Sequence, residues 1–398
     1  MSQKELKRLD VIKSIQSKRL SQIQAAKQLG VGTRQIRRLL RRYQVQGEAG
    51  LISGRRGKAS NNKLPQSLKQ EAISLIRARY HDFGPTFAHE KLTEVHQLKL
   101  SVETLRQWMI SEQIWQGKQR KVAHIHQSRD PRPCEGELIQ IDGSPHAWFE
   151  DRAPKCTLLV FVDDATSKIM QLHFEPQEST QGYFDATYQY VLQHGLPACF
   201  YSDRHGIFKI NQHADTCENE LTQFGRAMDS LGIEPICANS PQAKGRVENK
   251  NGTLQDRLVK ELRLKGISDM ATANAYLPEF IADYNQRFAK TPANKHNAHV
   301  KYQGNKQTLR NILSHQEERT MTKNLEVHYC NHIYQIQVAK PSYNMRGAKV
   351  LVIDNQGQIT LVYKDRTLPY KVMPKRRRQV KVASSKEVNL LVDQKLAV

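Results

Sequence analysis

Three carboxylates stand where segments of different character end or begin. Asp142 closes the run "LIQID", Asp203 closes "ACFYSD", and Glu248 lies in "NSPQAKGRVENKNGTL" (239–254) among Lys244, Arg246 and Lys250. Acids carried by separate strand ends and an adjoining helix start can converge on one point. Such a set suits a hard cation, because Mg2+ takes oxygen ligands in octahedral geometry, keeps several waters and is held by a few carboxylates together with substrate phosphates. Two such ions about 3.5–4 Å apart can activate the attacking oxygen and stabilise the leaving one in phosphoryl transfer. The cations beside Glu248 would then hold phosphates. At 100° per residue Val247, Leu254 and Leu258 share one helix face, and Glu248 lies on its flank beside Lys244 and Gln255. The plain alternative is a surface carboxylate balancing its neighbours, since thirty-nine acids offer many triples.

The charge balance points to the partner. Sixty-one Lys and Arg against thirty-nine Asp and Glu give +22 and a pI near 9.7, so a polyanion, with nucleic acid foremost, is expected. An anionic membrane surface could also use the charge. No apolar run approaches the roughly 18 residues that span a bilayer, and no signal-peptide core follows Met1, so a cytoplasmic protein is expected. Six cysteines without a C-x-x-C pair argue against a disulfide framework and a zinc site. With 398 residues, several modules are expected. The cations crowd the two ends, fifteen against three acids over 1–62 and eight against one over 364–382.

The elements around the acids follow from periodicity. In "LSQIQAAKQLGVGTRQIRRLLRRY", Ile23, Ala26 and Leu29 recur at helical spacing, Ser21 can cap, Gly30-Val31 breaks the run, and Thr33 can cap a second helix carrying Ile36, Leu39 and Leu40. Two short helices with a glycine turn, the second bearing Arg34, Arg37, Arg38, Arg41 and Arg42, match helix-turn-helix logic, whose second helix enters a major groove. A helical hairpin with a solvated basic face is the alternative. We assign 1–52 to this DNA-binding domain. A basic linker (53–63) follows, in which Arg55 and Arg56 either enter a minor groove or belong to a solvated tether. A second helical DNA-binding module spans 64–125. Pro65 starts its first helix, Ser101 is an N-cap, and Trp108 and Trp115 serve the core or stack on bases. Beyond "HQSRDPRPCEGE" the order reads βββαβαβα over 135–300, a mixed α/β layer. Asp163 and Asp164 end the second strand and are read as a strand-end turn, with one of them able to support Asp142. Period two then returns, and "DNQG" (354–357) reads as a hairpin turn in a small C-terminal all-β barrel (322–373), followed by the basic tail 374–398 with "KRRRQVK".

The segments "IDGSPHAWF", "YSDRHGIF", "ELTQFGRAMDSLGI", "NSPQAKGRVENKNGTLQDRLVKELRLKGI" and "IADYNQRFAKTPANKH" resemble the catalytic core of bacterial DDE transposases of the ISNCY group, relatives of retroviral integrases. The likeness is strongest over 135–299, and the flanking modules fit the same group. It implies an RNase H-like fold in a multidomain chain, with Asp142, Asp203 and Glu248 as catalytic, metal-holding acids. It further implies two Mg2+ ions, for which Mn2+ can substitute, and action on double-stranded DNA, both element terminal repeats and target. A homodimer or larger assembly on DNA is expected from the reaction and the family, at the bacterial nucleoid. Two departures stand out. The Asp203–Glu248 interval is long, the excess lying in 209–220, and Asp203 is followed by Arg-His-Gly rather than Asn-Gly. His205 could orient a phosphate or the leaving oxygen. Two rivals remain, a catalytically silent DNA-binding regulator and a structure-selective nuclease of the same fold.

Overall fold

The computed structural model describes residues 1–54, 63–117, 130–209, 221–238, 245–338, 343–374 and 385–396. The chain divides into two compact units, Met1–Lys121 and Val122–Val398.

In the first unit, α1 (Gln3–Gln16), α2 (Gln22–Leu29) and α3 (Thr33–Gln46) enclose a small core with Ile12, Ala25 and Ile36 fully buried. Ser21 starts α2 through a capping box with Gln24. Gly30 ends it at φ 62, a left-handed conformation that suits glycine, and this produces the tight turn into α3. Two expectations shift. Gly32, not Thr33, is the N-cap of α3, and Ile23 is 65% exposed because the neighbouring Ala25 and Ala26 take the inward face. A separate core joins α4 (Gln66–Arg79), α5 (Pro85–Glu94) and α6 (Val102–Ser111) around Ile76, Ala88, Leu105 and Met109. Ser101 caps α6 by accepting from the Thr104 N–H at 3.1 Å. Trp108 and Trp115 pack against this core.

The second unit opens with a five-stranded sheet of order β3-β2-β1-β4-β5. Its strands are β1 (Leu138–His146), β2 (Cys156–Asp163), β3 (Ile169–Glu175), β4 (Cys199–Ser202) and β5 (Glu234–Cys237). The first three are antiparallel to one another, while β4 and β5 run parallel to β1. With α7 (Thr180–His194), α8 (Gln223–Leu231) and α9 (Gly245–Leu264), this is the βββαβαβα order.

Alternation divides the sheet into two apolar faces. Ile139, Ile141, Leu159 and Phe161 point to α7 and α8, whereas Leu158, Val160 and Val162 point to α9 and α10 (Met270–Phe288). All eight residues of β2 are buried, as a strand covered on both faces requires. Helix α10 had no counterpart in the periodicity reading. It guards the free edge of β3: Asn274 Oδ1 accepts from the Phe174 N–H (2.7 Å) and its Nδ2 donates to the Phe174 carbonyl (3.1 Å). Asn285 makes the same pair with Ile169, at 2.8 and 2.7 Å. Two amides thus occupy backbone groups that an edge strand would otherwise offer to another chain.

After α11 (Lys306–Ile312), seven short strands form two small antiparallel sheets over one core that includes Val327, Val350, Val352 and Leu361. One sheet has the order β11 (Arg366–Leu368), β10 (Gln358–Tyr363), β9 (Lys349–Asn355), β6 (His315–Thr320). The other has β12 (Tyr370–Pro374), β8 (His332–Ile336), β7 (Glu326–Tyr329). Between β9 and β10, Gln356 and Gly357 both have positive φ, the two-residue hairpin turn expected of "DNQG". The tail contains a further helix, α12 (Ser385–Leu396), while "KRRRQVK" lies outside the described residues.

Candidate active site

Parallel pairing of β1 and β4 brings the first two acids together. Gln140 pairs with Tyr201, and two residues further along lie Asp142 and Asp203, just beyond the carboxyl ends of the parallel pairing; Asp203 follows the last residue of β4, but Asp142 does not close its strand as "LIQID" suggested, because β1 runs on to His146 against β2. In open α/β sheets, ligands bind outside those ends, where the strand order reverses. The β1 strand has antiparallel β2 on one side and parallel β4 on the other.

Helix α9 lies along that face in register with β1. The Val247 N–H donates to Gln140 Oε1 (3.2 Å), Asn251 Nδ2 to Asp142 Oδ2 (2.8 Å) and Gln255 Nε2 to Ser144 Oγ (3.1 Å). Four helix residues rise about 6 Å and two strand residues about 6.6 Å, so the spacing holds over three contacts. Val247, Leu254 and Leu258 are fully buried beneath it. Glu248 stands one turn before Asn251, in the first turn of α9, with its side chain exposed at the open edge. Asp203 Oδ1 accepts from the His205 N–H at 3.0 Å, and the His205 side chain is exposed.

Behind this edge is a buried polar network. Asp164, 0% exposed, accepts from Gln140 Nε2 (2.8 Å) and the Arg132 N–H (2.8 Å), and pairs with Arg246 Nε at 3.1 Å. Arg246 Nη1 also donates to the Asp164 carbonyl at 2.9 Å. Removing one partner of a buried pair leaves an uncompensated charge, at a cost of about 3–5 kcal/mol. Asp163 caps the adjoining turn by accepting from the Thr166 N–H and hydroxyl and from the Gly136 N–H. Burial pushes its carboxyl upward against those bonds. The turn reading of Asp163 and Asp164 thus holds, and Asp164 reaches Gln140 and Arg246.

The cations expected to hold phosphates part company here. Lys250 Nζ donates to Tyr284 Oη (3.3 Å) and sits 4.8 Å above that ring. Burial, aided by Lys290, lowers its pKa to about 8. Arg246 is turned inward to Asp164, whereas Lys244, Arg55 and Arg56 lie outside the described residues. Arg34, Arg37, Arg38, Arg41 and Arg42 on α3 are all exposed.

Asp142, Asp203 and Glu248 offer oxygen donors only, as a hard cation prefers. Among the described residues no three His, Cys, Asp or Glu side chains stand close enough to hold a metal. The acids therefore frame the edge without closing on one point. Asn251 Oδ1, buried beside Asp142, has no hydrogen-bond partner among the described residues, which leaves an acceptor for a bound water or ion at that edge. The donor chemistry thus fits Mg2+.

Gln140 and Asn251 escaped the sequence reading, and so did the partners of Asp164, which was read only as a turn acid able to support Asp142. Gln140 and Asn251 carried a usable signal, one lying two strand residues before Asp142 and the other three helix residues after Glu248. Nothing local marks Asp164 as more than a turn acid.

A winged helix-turn-helix family model matches residues 8–70, from within α1 to the start of α4. A protein named as a transposase, y4bF of Sinorhizobium fredii, is 42% identical over 380 residues, covering 95% of this chain and 83% of its own. The transposase of insertion sequence IS1202 from Streptococcus pneumoniae is 30% identical over 388 residues, covering 88% and 82%. Superposition on solved structures is loose. The catalytic core domain of HTLV-2 integrase in complex with magnesium is 19% identical and covers 39% of this chain and 90% of that one, with a TM-score of 0.29. The simian T-cell lymphotropic virus intasome chain is 13% identical and covers 77% and 100%, with a TM-score of 0.33. Two transposases alike over most of their length place the chain in their family, and it belongs to the transposases.

Proposed function

We propose that the chain binds the ends of its own mobile element at the nucleoid, cleaves the DNA there to free a 3′-OH and joins that end to target DNA. The observation that supports this most directly is the pairing of β1 with β4, which sets Asp142 beside Asp203 while α9 delivers Glu248 to the same edge. These three side chains would hold two Mg2+ ions, which when bound activate an attacking oxygen and stabilise a leaving one. Asn251 orients Asp142 through its 2.8 Å bond, and the His205 backbone N–H orients Asp203. In the first step water attacks the phosphorus at the element end and displaces the 3′ oxygen; in the second the freed 3′-OH attacks the phosphorus of a target phosphodiester and displaces the target strand's own 3′ oxygen, which leaves as a hydroxyl. No protein nucleophile is required. Modules 1–52 and 64–125 would hold the ends, 135–300 would carry the chemistry, and two copies would act on two ends.

The test is a cleavage-and-joining assay with labelled DNA from the flanks of the coding region. Wild-type protein should cleave and join in Mg2+, and Asp203→Asn should do neither while binding ends normally. Normal cleavage by Asp203→Asn would refute the assignment. Binding without chemistry from the wild type would indicate a regulator, and cleavage without joining a nuclease.

A further inference from the structure

Arg246 lies two residues before Glu248 and, on its sequence setting, belongs with the phosphate-binding cations. The structure gives it another partner. Its guanidinium makes two contacts with Asp164, one to the carboxylate (3.1 Å) and one to the main-chain carbonyl (2.9 Å), and Asp164 is completely buried. The same carboxylate accepts from Gln140 Nε2, and Gln140, 1% exposed, accepts with its other amide atom from the Val247 N–H. That N–H is among the first four of α9, which have no partner within the helix. Two ties, at 246 and 247, therefore hold the turn that carries Glu248 to the buried end of β2. The second oxygen of Asp164 accepts from the Arg132 N–H, which fixes the chain as it enters the core.

We infer that Asp164, Arg246 and Gln140 form a positioning clamp for Glu248. Arg246 serves the metal site from within the protein and makes no phosphate contact. The inference rests on the assignment of Glu248 as a metal-holding acid. Arginine is required because two contacts in fixed relation need a planar fork, which the single ammonium of lysine cannot reproduce. Groups that orient a metal-holding side chain typically change metal affinity about 10–100-fold when altered.

The test measures Mn2+ binding to the full-length protein from the free-ion signal in electron paramagnetic resonance, together with thermal unfolding and the salt dependence of end binding. The variants are Arg246→Lys, Asp164→Asn, the doubly neutral Asp164→Asn/Arg246→Gln, which leaves no buried charge unpaired, and Glu248→Gln. A weakening of Mn2+ binding of about tenfold in Arg246→Lys and in the double variant, with unfolding and salt slope unchanged, is the expected result. A folded double variant that binds Mn2+ like wild type while Glu248→Gln does not would overturn the clamp alone. A reduced salt slope in the double variant with normal Mn2+ binding would return Arg246 to the phosphates and overturn it too. Wild-type Mn2+ binding by Glu248→Gln would instead remove the assignment on which the clamp depends.

Discussion

Helix α3 places five arginines within nine residues, all exposed, and among the described residues none forms an ion pair. Its only described side-chain tie from this group is Arg37 Nε to Gln22 Oε1 at 3.3 Å. On α9 the cations are engaged inside the protein. Arg246 pairs with Asp164, Lys250 rests on Tyr284, Arg257 stacks 4.7 Å above Phe288, and Lys260 bonds Asp256. Similar residue counts thus serve two ends. On α3 the charge faces outward, as the proposed phosphate contacts with their release of counterions require, whereas on α9 it is spent on ties within the protein, as the proposed presentation of Glu248 at a fixed place requires.

The largest effect that separates the two helices should come from α3. Arg37→Ala/Arg38→Ala should weaken end binding on the order of 30-fold near 0.15 M salt and lower the slope of log K against log salt by about 2. A filter-binding titration over several salt concentrations reads both values, and an unchanged slope would move the phosphate contacts off α3.

Lys250 gives an intermediate effect. Its folded pKa of about 8 lies below the ordinary 10.5, so as pH falls through that window the unfolded chain takes up the proton first and the fold loses stability. Lys250→Met should therefore raise the unfolding midpoint at neutral pH by about 2–4 °C. The gain should fade as pH rises through 8 towards 10.5. Loss of end binding with a shallower salt slope would show that this lysine faces DNA after all.

The smallest effect concerns a half-buried base. His299 Nδ1 lies 2.6 Å from Asn297 Oδ1, its only described partner on that side being an acceptor, so Nδ1 carries the proton and Nε2 accepts from the Tyr190 hydroxyl. Burial, reinforced by His194, lowers its pKa to about 4 from 6.5. The unfolded chain binds the proton first across that interval, so stability is lost as pH falls from about 6.5 towards 4. Differential scanning calorimetry should show the catalytic unit's midpoint dropping over this range, with a flatter dependence in His299→Gln.

Much of the catalytic layer was legible because strands and helices differ in period. The βββαβαβα order over 135–300 came from that difference, and Ser101 marked a helix start that the structure keeps. Asp203 follows the end of its strand as expected, whereas β1 continues four residues past Asp142, because β2 pairs with it as far as His146. What escaped was set by tertiary contact. Nothing in "VFVDDATS" distinguishes a turn acid from one that holds an arginine 82 residues later. Helix α10 was missed although Asp269 caps it, accepting from the Thr272 N–H at 2.8 Å; Pro278 interrupts its pattern, and its two edge-binding asparagines look like loop residues.

Those asparagines bear on how the protein is made. The β3 strand leaves the ribosome before the sheet has its full set of partners, and α10 is complete only more than a hundred residues later. At about 5–20 residues per second the nascent chain displays an unguarded edge strand for on the order of ten seconds. During that interval Asn274 and Asn285 cannot yet act, and a neighbouring nascent chain could pair with β3 in their place. The guarding of this edge therefore depends on when α10 is made as well as on the contacts of the finished fold.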